Sequence, residues 1–184
     1  MKMKKFVTLM VIMILSINLN AQDFEKGGNY VCVGYGLDPW GNPGNGFAFD
    51  NSNYRKTTIG PSLLMYERGI TDILGIGRIG VGGGFAHSLY SEKWVSAGAE
   101  YKNVSHRISV ILRAAYHFEF DIPKMDVYAG VGTAFHAYIN SSSTFPLGHY
   151  VFAGIRYYLT DAIGVYAEAG HGLAALNGGL VFKF

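Results

Sequence analysis

Apolar and polar residues alternate with a period of two along most of the chain beyond residue 28. Successive side chains of a strand point to opposite faces, so this alternation predicts β-strands. The segment His106 to Phe120 shows it most clearly. Ile108, Val110, Leu112, Ala114, Tyr116, Phe118 and Phe120 share one face. Arg107, Ser109, Arg113, His117 and Glu119 share the other, with Ile111 and Ala115 among them. The same period predicts strands over about 29–36, 56–68, 75–87, 125–138, 149–159 and 163–172. A closing strand sets Leu176, Leu180, Phe182 and Phe184 against Asn177, Gly179, Val181 and Lys183. In the second segment Leu63, Leu64 and Met65 are consecutive, which blurs its faces and allows a bulge there.

The connections alternate as well. Polar stretches at 37–55, 88–105 and 139–148 follow the first, third and fifth strands. Short turns at Thr71-Asp72, Asp121 to Lys124 and Thr160 to Ala162 follow the second, fourth and sixth. The last hairpin falls on the long side but is short. Eight antiparallel up-and-down strands can close into a barrel, either soluble with an apolar interior or spanning a membrane with an apolar exterior.

Composition decides between the two. The chain holds 25 Gly, 13 Tyr and 12 Phe, and only 15% charged residues. Its apolar faces are long and nearly free of charge, while the arginines, glutamates and glycines gather on the opposite faces. Glycine fits the crowded bore of an eight-stranded barrel better than its exterior. The polar faces therefore point inward. The prediction is an all-β, eight-stranded antiparallel up-and-down transmembrane β-barrel, in which closure satisfies every backbone group.

Residues 1–21 have another character. Lys2, Lys4 and Lys5 precede the apolar run Phe6 to Leu19, followed by Asn20-Ala21. This is the plan of a secretory signal peptide, leaving 22–184 as the barrel domain. The apolar run is shorter than the ~20 residues of a spanning helix. With the three leader lysines set aside from 15 basic residues, 12 face 13 acidic ones, a net of −1. That balance gives no footing for nucleic acid. Cys32 is the single cysteine, so no internal disulfide or Cys-x-x-Cys pair exists.

An export leader before Gln22, eight strands, Thr-Asp turns at Thr71-Asp72 and Thr160-Asp161, and the terminal Leu-Val-Phe-Lys-Phe resemble the small eight-stranded outer-membrane β-barrel family, porin-like or OmpA/OmpX-like. The resemblance spans the whole mature chain. It implies location in the bacterial outer membrane, both termini in the periplasm and the long loops outside. It also implies that Phe182 and Phe184 are read by the barrel-assembly machinery. Outer-membrane lipid is the second expected partner, and a monomer the expected state.

Candidate chemistry lies in the lumen and at the rim. Arg78, Arg107, Arg113, Glu119, Arg156 and Glu168 point inward by parity, and Asp126 extends the set. With the turn centred on Ala162, Arg156 and Glu168 sit opposite each other as an ion pair. A structural network filling a closed bore is favoured over a gated pore or proton path. Among the histidines near the outer end, parity turns His136 inward and His87, His106, His149 and His171 toward lipid. That arrangement suits interfacial rings better than a metal site. His106 and Ser109 differ in parity, so no catalytic triad is seen. Asp38, Asn42 and Asn45 lack the EF-hand spacing. Trp40, Phe47, Phe49 and Trp94 lie on the outer loops, where exposed aromatics suit ligand capture or an interfacial girdle. No catalytic, cofactor or metal residue is assigned. The expected function is a structural or surface-interaction role through the outer loops, toward an unidentified extracellular ligand. A narrow channel for small solutes or hydrophobic compounds is the alternative, and a lipid A-modifying enzyme a third reading.

Overall fold

The computed structural model describes residues 24–37, 54–96, 98–120, 122–140 and 147–184. The strands are β1 (Asn29–Leu37), β2 (Tyr54–Gly69), β3 (Gly77–Ser96), β4 (Ala99–Phe118), β5 (Met125–Ile139), β6 (Leu147–Tyr158), β7 (Ile163–His171) and β8 (Leu176–Lys183). Each pairs antiparallel with its sequence neighbour, and β8 returns to β1, closing the barrel. The seam aligns Val31 with Phe182 and Val33 with Leu180. At one end, the backbones of Asn29 and Phe184 exchange two hydrogen bonds, of 3.2 and 3.0 Å. The start of β1, the end of β8 and the three short turns therefore share a rim, here the terminal end. The opposite rim is the far end.

The faces divide as the alternation predicts. Val33, Leu64, Phe85, Leu112, Val131, Val151 and Leu180 are exposed on the exterior. Tyr30, Ile111, Tyr128, Tyr158 and Val181 are buried in the bore. Large rings fit there because glycines face them. A Cβ on Gly154 would lie 2.6 Å from the Tyr128 ring and 2.8 Å from Glu168 Cγ.

Three expectations are corrected. First, residues 88–105 are not a loop. β3 and β4 run on as 20-residue strands, paired from Gly77↔Phe118 to Ser96↔Ala99. Gly98 turns the chain at positive φ (+79°), which glycine adopts without strain. Alternation fails in this stretch because its upper part projects above the barrel, where both faces can be polar. Second, the β2 irregularity falls between Ile59 and Ser62, not at Leu63 to Met65. Leu63 and Met65 point inward and Leu64 outward, so those residues alternate normally. Third, Arg156 stands opposite Tyr166, and Glu168 opposite Gly154. The β6–β7 turn centres one residue earlier than assumed, held by Thr160 Oγ1, which accepts from the backbone of Ala162 and Ile163.

β1, β7 and β8 have nine, nine and eight residues. β3 and β4 are more than twice as long, so one wall stands far above the rest. β2 accompanies it up to Tyr54↔Trp94. Among the described residues, β1–β2 pairing stops at Tyr35↔Ser62 and β4–β5 pairing at His106↔Ile139.

Candidate functional site: the charged lumen and the projecting sheet

Inward-facing positions of five strands meet midway along the bore. β2 supplies Glu67, β4 Arg113 and His117, β5 Asp126 and Tyr128, β6 Arg156 and β7 Glu168, all buried. Glu67 stands at the centre. Its Oε2 accepts from Arg156 Nη2 at 2.6 Å, and its Oε1 faces His117 Nε2 at 2.7 Å. Asp126 holds the other side of both partners. Its Oδ1 lies 2.8 Å from His117 Nδ1 and its Oδ2 accepts from Arg156 Nη1 at 3.3 Å. Arg113 Nη2 donates to Glu168 Oε1 at 2.7 Å, and Glu168 also accepts from Tyr128 at 2.9 Å and Asn177 at 3.3 Å.

Three carboxylates thus face two guanidiniums and one imidazole. Both His117 nitrogens face carboxylate oxygens, so donation at both, as an imidazolium, completes the hydrogen bonding and balances the charge. A buried charge is costly unless it is paired and hydrogen-bonded. Ring faces enclose the rest: the Arg113 guanidinium lies 3.9 Å from the Phe152 centroid, and that of Arg156 lies 4.7 Å from Tyr128.

Toward the terminal end the bore is capped by Phe24, a residue that precedes every strand. It is 1% exposed and stacks on His117 at 3.5 Å and on Tyr30 at 4.7 Å between centroids. Arg78 donates to the Phe24 carbonyl at 2.5 Å and the Glu25 amide donates to Tyr30 Oη at 2.9 Å. Lys183 pairs with Glu25 at 3.1 Å and Lys26 with Asp72 at 2.5 Å. Hydrogen bonding to Lys26, reinforced by its charge, holds the Asp72 carboxyl below its ordinary range.

The six lumen charges singled out from sequence therefore separate. Arg113, Arg156 and Glu168 belong to the central cluster, but Arg156 and Glu168 do not pair. Arg78 and Glu119 form a rim pair at 3.1 Å. Arg107 lies toward the far end, beside Ser88 Oγ at 3.4 Å and over the Tyr90 ring. Glu67 and Phe24 were missed. Glu67 was obscured by the Leu63 to Met65 run, although it keeps strict alternation with Leu63 and Met65. Phe24 carries no strand signal at all.

The aromatics divide too. Trp40, Phe47 and Phe49, like Asp38, Asn42 and Asn45, lie outside the described residues. Trp94 is on a strand rather than a loop, opposite Tyr101 and stacked on it at 5.6 Å. Phe182 is half-buried on the seam, and Phe184 is 72% exposed at the rim. His87 and His106 face outward and bond to each other at 3.0 Å. Ser109 meets His136, not His106: its Oγ lies 2.8 Å from His136 Nδ1. Among the described residues no carboxylate bonds to His136, and no group of three or more His, Cys, Asp or Glu could hold a metal ion.

No family model matches the chain, and no curated protein matches it. Among solved structures it is similar to the outer membrane protein OprG from Pseudomonas aeruginosa. Identity is 10%, the TM-score 0.52, and the match covers 90% of this chain and 99% of that one. The fold is that of an eight-stranded outer-membrane β-barrel. A second match is to OmpTdeltaL8, a loop L8 deletion mutant of OmpT, an outer membrane protein of Vibrio cholerae. It has 13% identity and a TM-score of 0.27, covering 86% of this chain and 76% of that one. The apolar exterior and charged bore of this barrel give the same assignment on physical grounds.

Proposed function

We propose that this outer-membrane barrel works as a monomer with a closed lumen, and that its role is interaction at the cell surface through the far end, which faces outward. The observation that carries the reading is the filled bore. Side chains of five strands lock together at its middle, and Phe24 caps the terminal end. An eight-stranded barrel has room for little more than its own side chains. The projecting β2–β3–β4 sheet then offers the surface for contact, including the exposed Trp94–Tyr101 stack. Single-channel recording in planar bilayers tests the closed lumen. No conductance steps are expected; steady steps would favour the narrow channel instead.

The barrel-assembly machinery is proposed to read Phe184. Its exposed ring on a pinned backbone supports this reading. Deleting Phe184 is expected to lower the level in the membrane while leaving folding in detergent largely intact. Undiminished membrane levels would reject the role.

A further inference from the structure

The projecting sheet has two faces. Toward the barrel axis it carries Tyr90 and Ser105, both buried. Its outer face continues upward from the lipid-facing belt. One row there stands apart: Arg55 on β2 pairs with Lys93 on β3, and Lys93 with Lys102 on β4. Three cations stand side by side across three strands. Arg55 shares the face of Ile59, Lys93 that of Phe85 and Lys102 that of Ile108, all exposed on the exterior. The three cations are exposed themselves.

Directly opposed side chains have Cβ atoms roughly 4.5–5.5 Å apart, and like charges so placed destabilise a sheet. Among the described residues none of the three forms an ion pair. Glu100, on the outer face one row higher, and Glu92, on the inner face, are the acids nearby in register. With only Glu100 beside it on that face among the described residues, the row leaves a net positive charge that an anion from outside would balance. Its height limits which anion. Ile59 and Leu89, the highest row in which the β2 and β3 residues are both apolar, lie four residues below. At about 3.3 Å per residue and a 35–45° tilt, the cations stand roughly 10 Å above that row. A phosphate next to acyl chains lies lower, within a polar layer only about 5–8 Å deep. A phosphate carried on a sugar headgroup reaches higher.

We infer that Arg55, Lys93 and Lys102 form a docking row for the phosphates of a phosphorylated glycolipid in the leaflet around the far end. The inference rests on the outward orientation proposed above. Three fixed cations fit the charge of more than one phosphate, and the shared face joins the row to the acyl-chain belt below it.

The test uses the folded barrel in detergent micelles doped with bis-phosphorylated lipid A, with the same glycolipid enzymatically dephosphorylated, or with neither. Native mass spectrometry reads retained lipid, and the thermal midpoint reads stability. Bis-phosphorylated lipid A should be retained at least about ten-fold over the dephosphorylated form, a difference of ~1.4 kcal/mol, and should raise the midpoint. The triple variant R55Q/K93Q/K102Q should lose both effects. Without glycolipid it should melt no lower than the parent, since it is relieved of repulsion. Equal retention of the two glycolipids, or an unchanged preference in the variant, would overturn the inference. Competition by millimolar inorganic phosphate would overturn the membrane lipid as the source. Orientation is read separately, by labelling Ser96→Cys on intact cells with an impermeant maleimide. Labelling supports the outer leaflet, whereas a protected Ser96→Cys would put the row in the other leaflet and remove the glycolipid as its occupant. The phosphate preference measured in micelles does not depend on that result.

Discussion

Arg156 shows how much one side chain can hold. It is 1% exposed, paired with Glu67 and Asp126 from two other strands, and bounded by the rings of Tyr128 and Tyr30. Removing one partner of a buried pair strands the other's charge and costs about 3–5 kcal/mol. Arg156→Met is expected to lower stability by that order in urea unfolding. A double-mutant cycle with Glu67→Gln should show coupling well above the ~0.5 kcal/mol of independent sites, whereas a cycle with Glu168→Gln, which meets Arg156 only through shared neighbours such as Tyr128, should show less. The reverse ranking would reject this geometry. The Lys26–Asp72 contact is of another kind, since both side chains are exposed. A carboxyl depressed in the folded state contributes above its unfolded value, and the contribution is lost as pH falls through the folded one. The Asp72 carboxyl signal should therefore titrate at lower pH than in a Lys26→Ala variant; identical midpoints would rule out the tether. Side-chain direction was legible wherever alternation was clean, so the inward set on β4 was placed correctly. The partners were not, because a one-residue change in turn centre moves every cross-strand neighbour by two.

At the scale of elements, the β3–β4 hairpin departs furthest from expectation. Sequence reads strands by contrast between their faces, and that contrast comes from having lipid on one side and the bore on the other. Above the barrel both vanish. Ser91, Glu92, Lys93, Ser96, Glu100, Lys102 and Asn103 then sit on both faces of paired strands and look like a loop. The hairpin makes few demands on the barrel below. Excising residues 92–103 and joining the paired Ser91 and Val104 with a Gly-containing two-residue turn is expected to leave the barrel folded, judged by heat-modifiable migration on gels. Loss of that shift would mean that the projection supports the barrel wall. The same excision removes Trp94, Tyr101, Lys93 and Lys102, and so separates the surface role from the scaffold.

At the scale of the whole molecule, the eight strands, their order and the sense of the two faces were readable from sequence. Period, turn lengths and the placing of glycine all agreed. What could not be read was the closure of the bore. Its central acid, Glu67, comes from the strand with the least clear alternation, and its cap comes from no strand. The paired region and the projecting region also differ in what they tolerate around them. On the outer face the exposed cations Arg55, Lys93 and Lys102 stand in one row across β2, β3 and β4. Charged side chains on the lipid face of a barrel are costly within the bilayer. The barrel therefore carries its own waterline. It can sink into a bilayer only to a level below that row, whatever the thickness of the membrane that receives it.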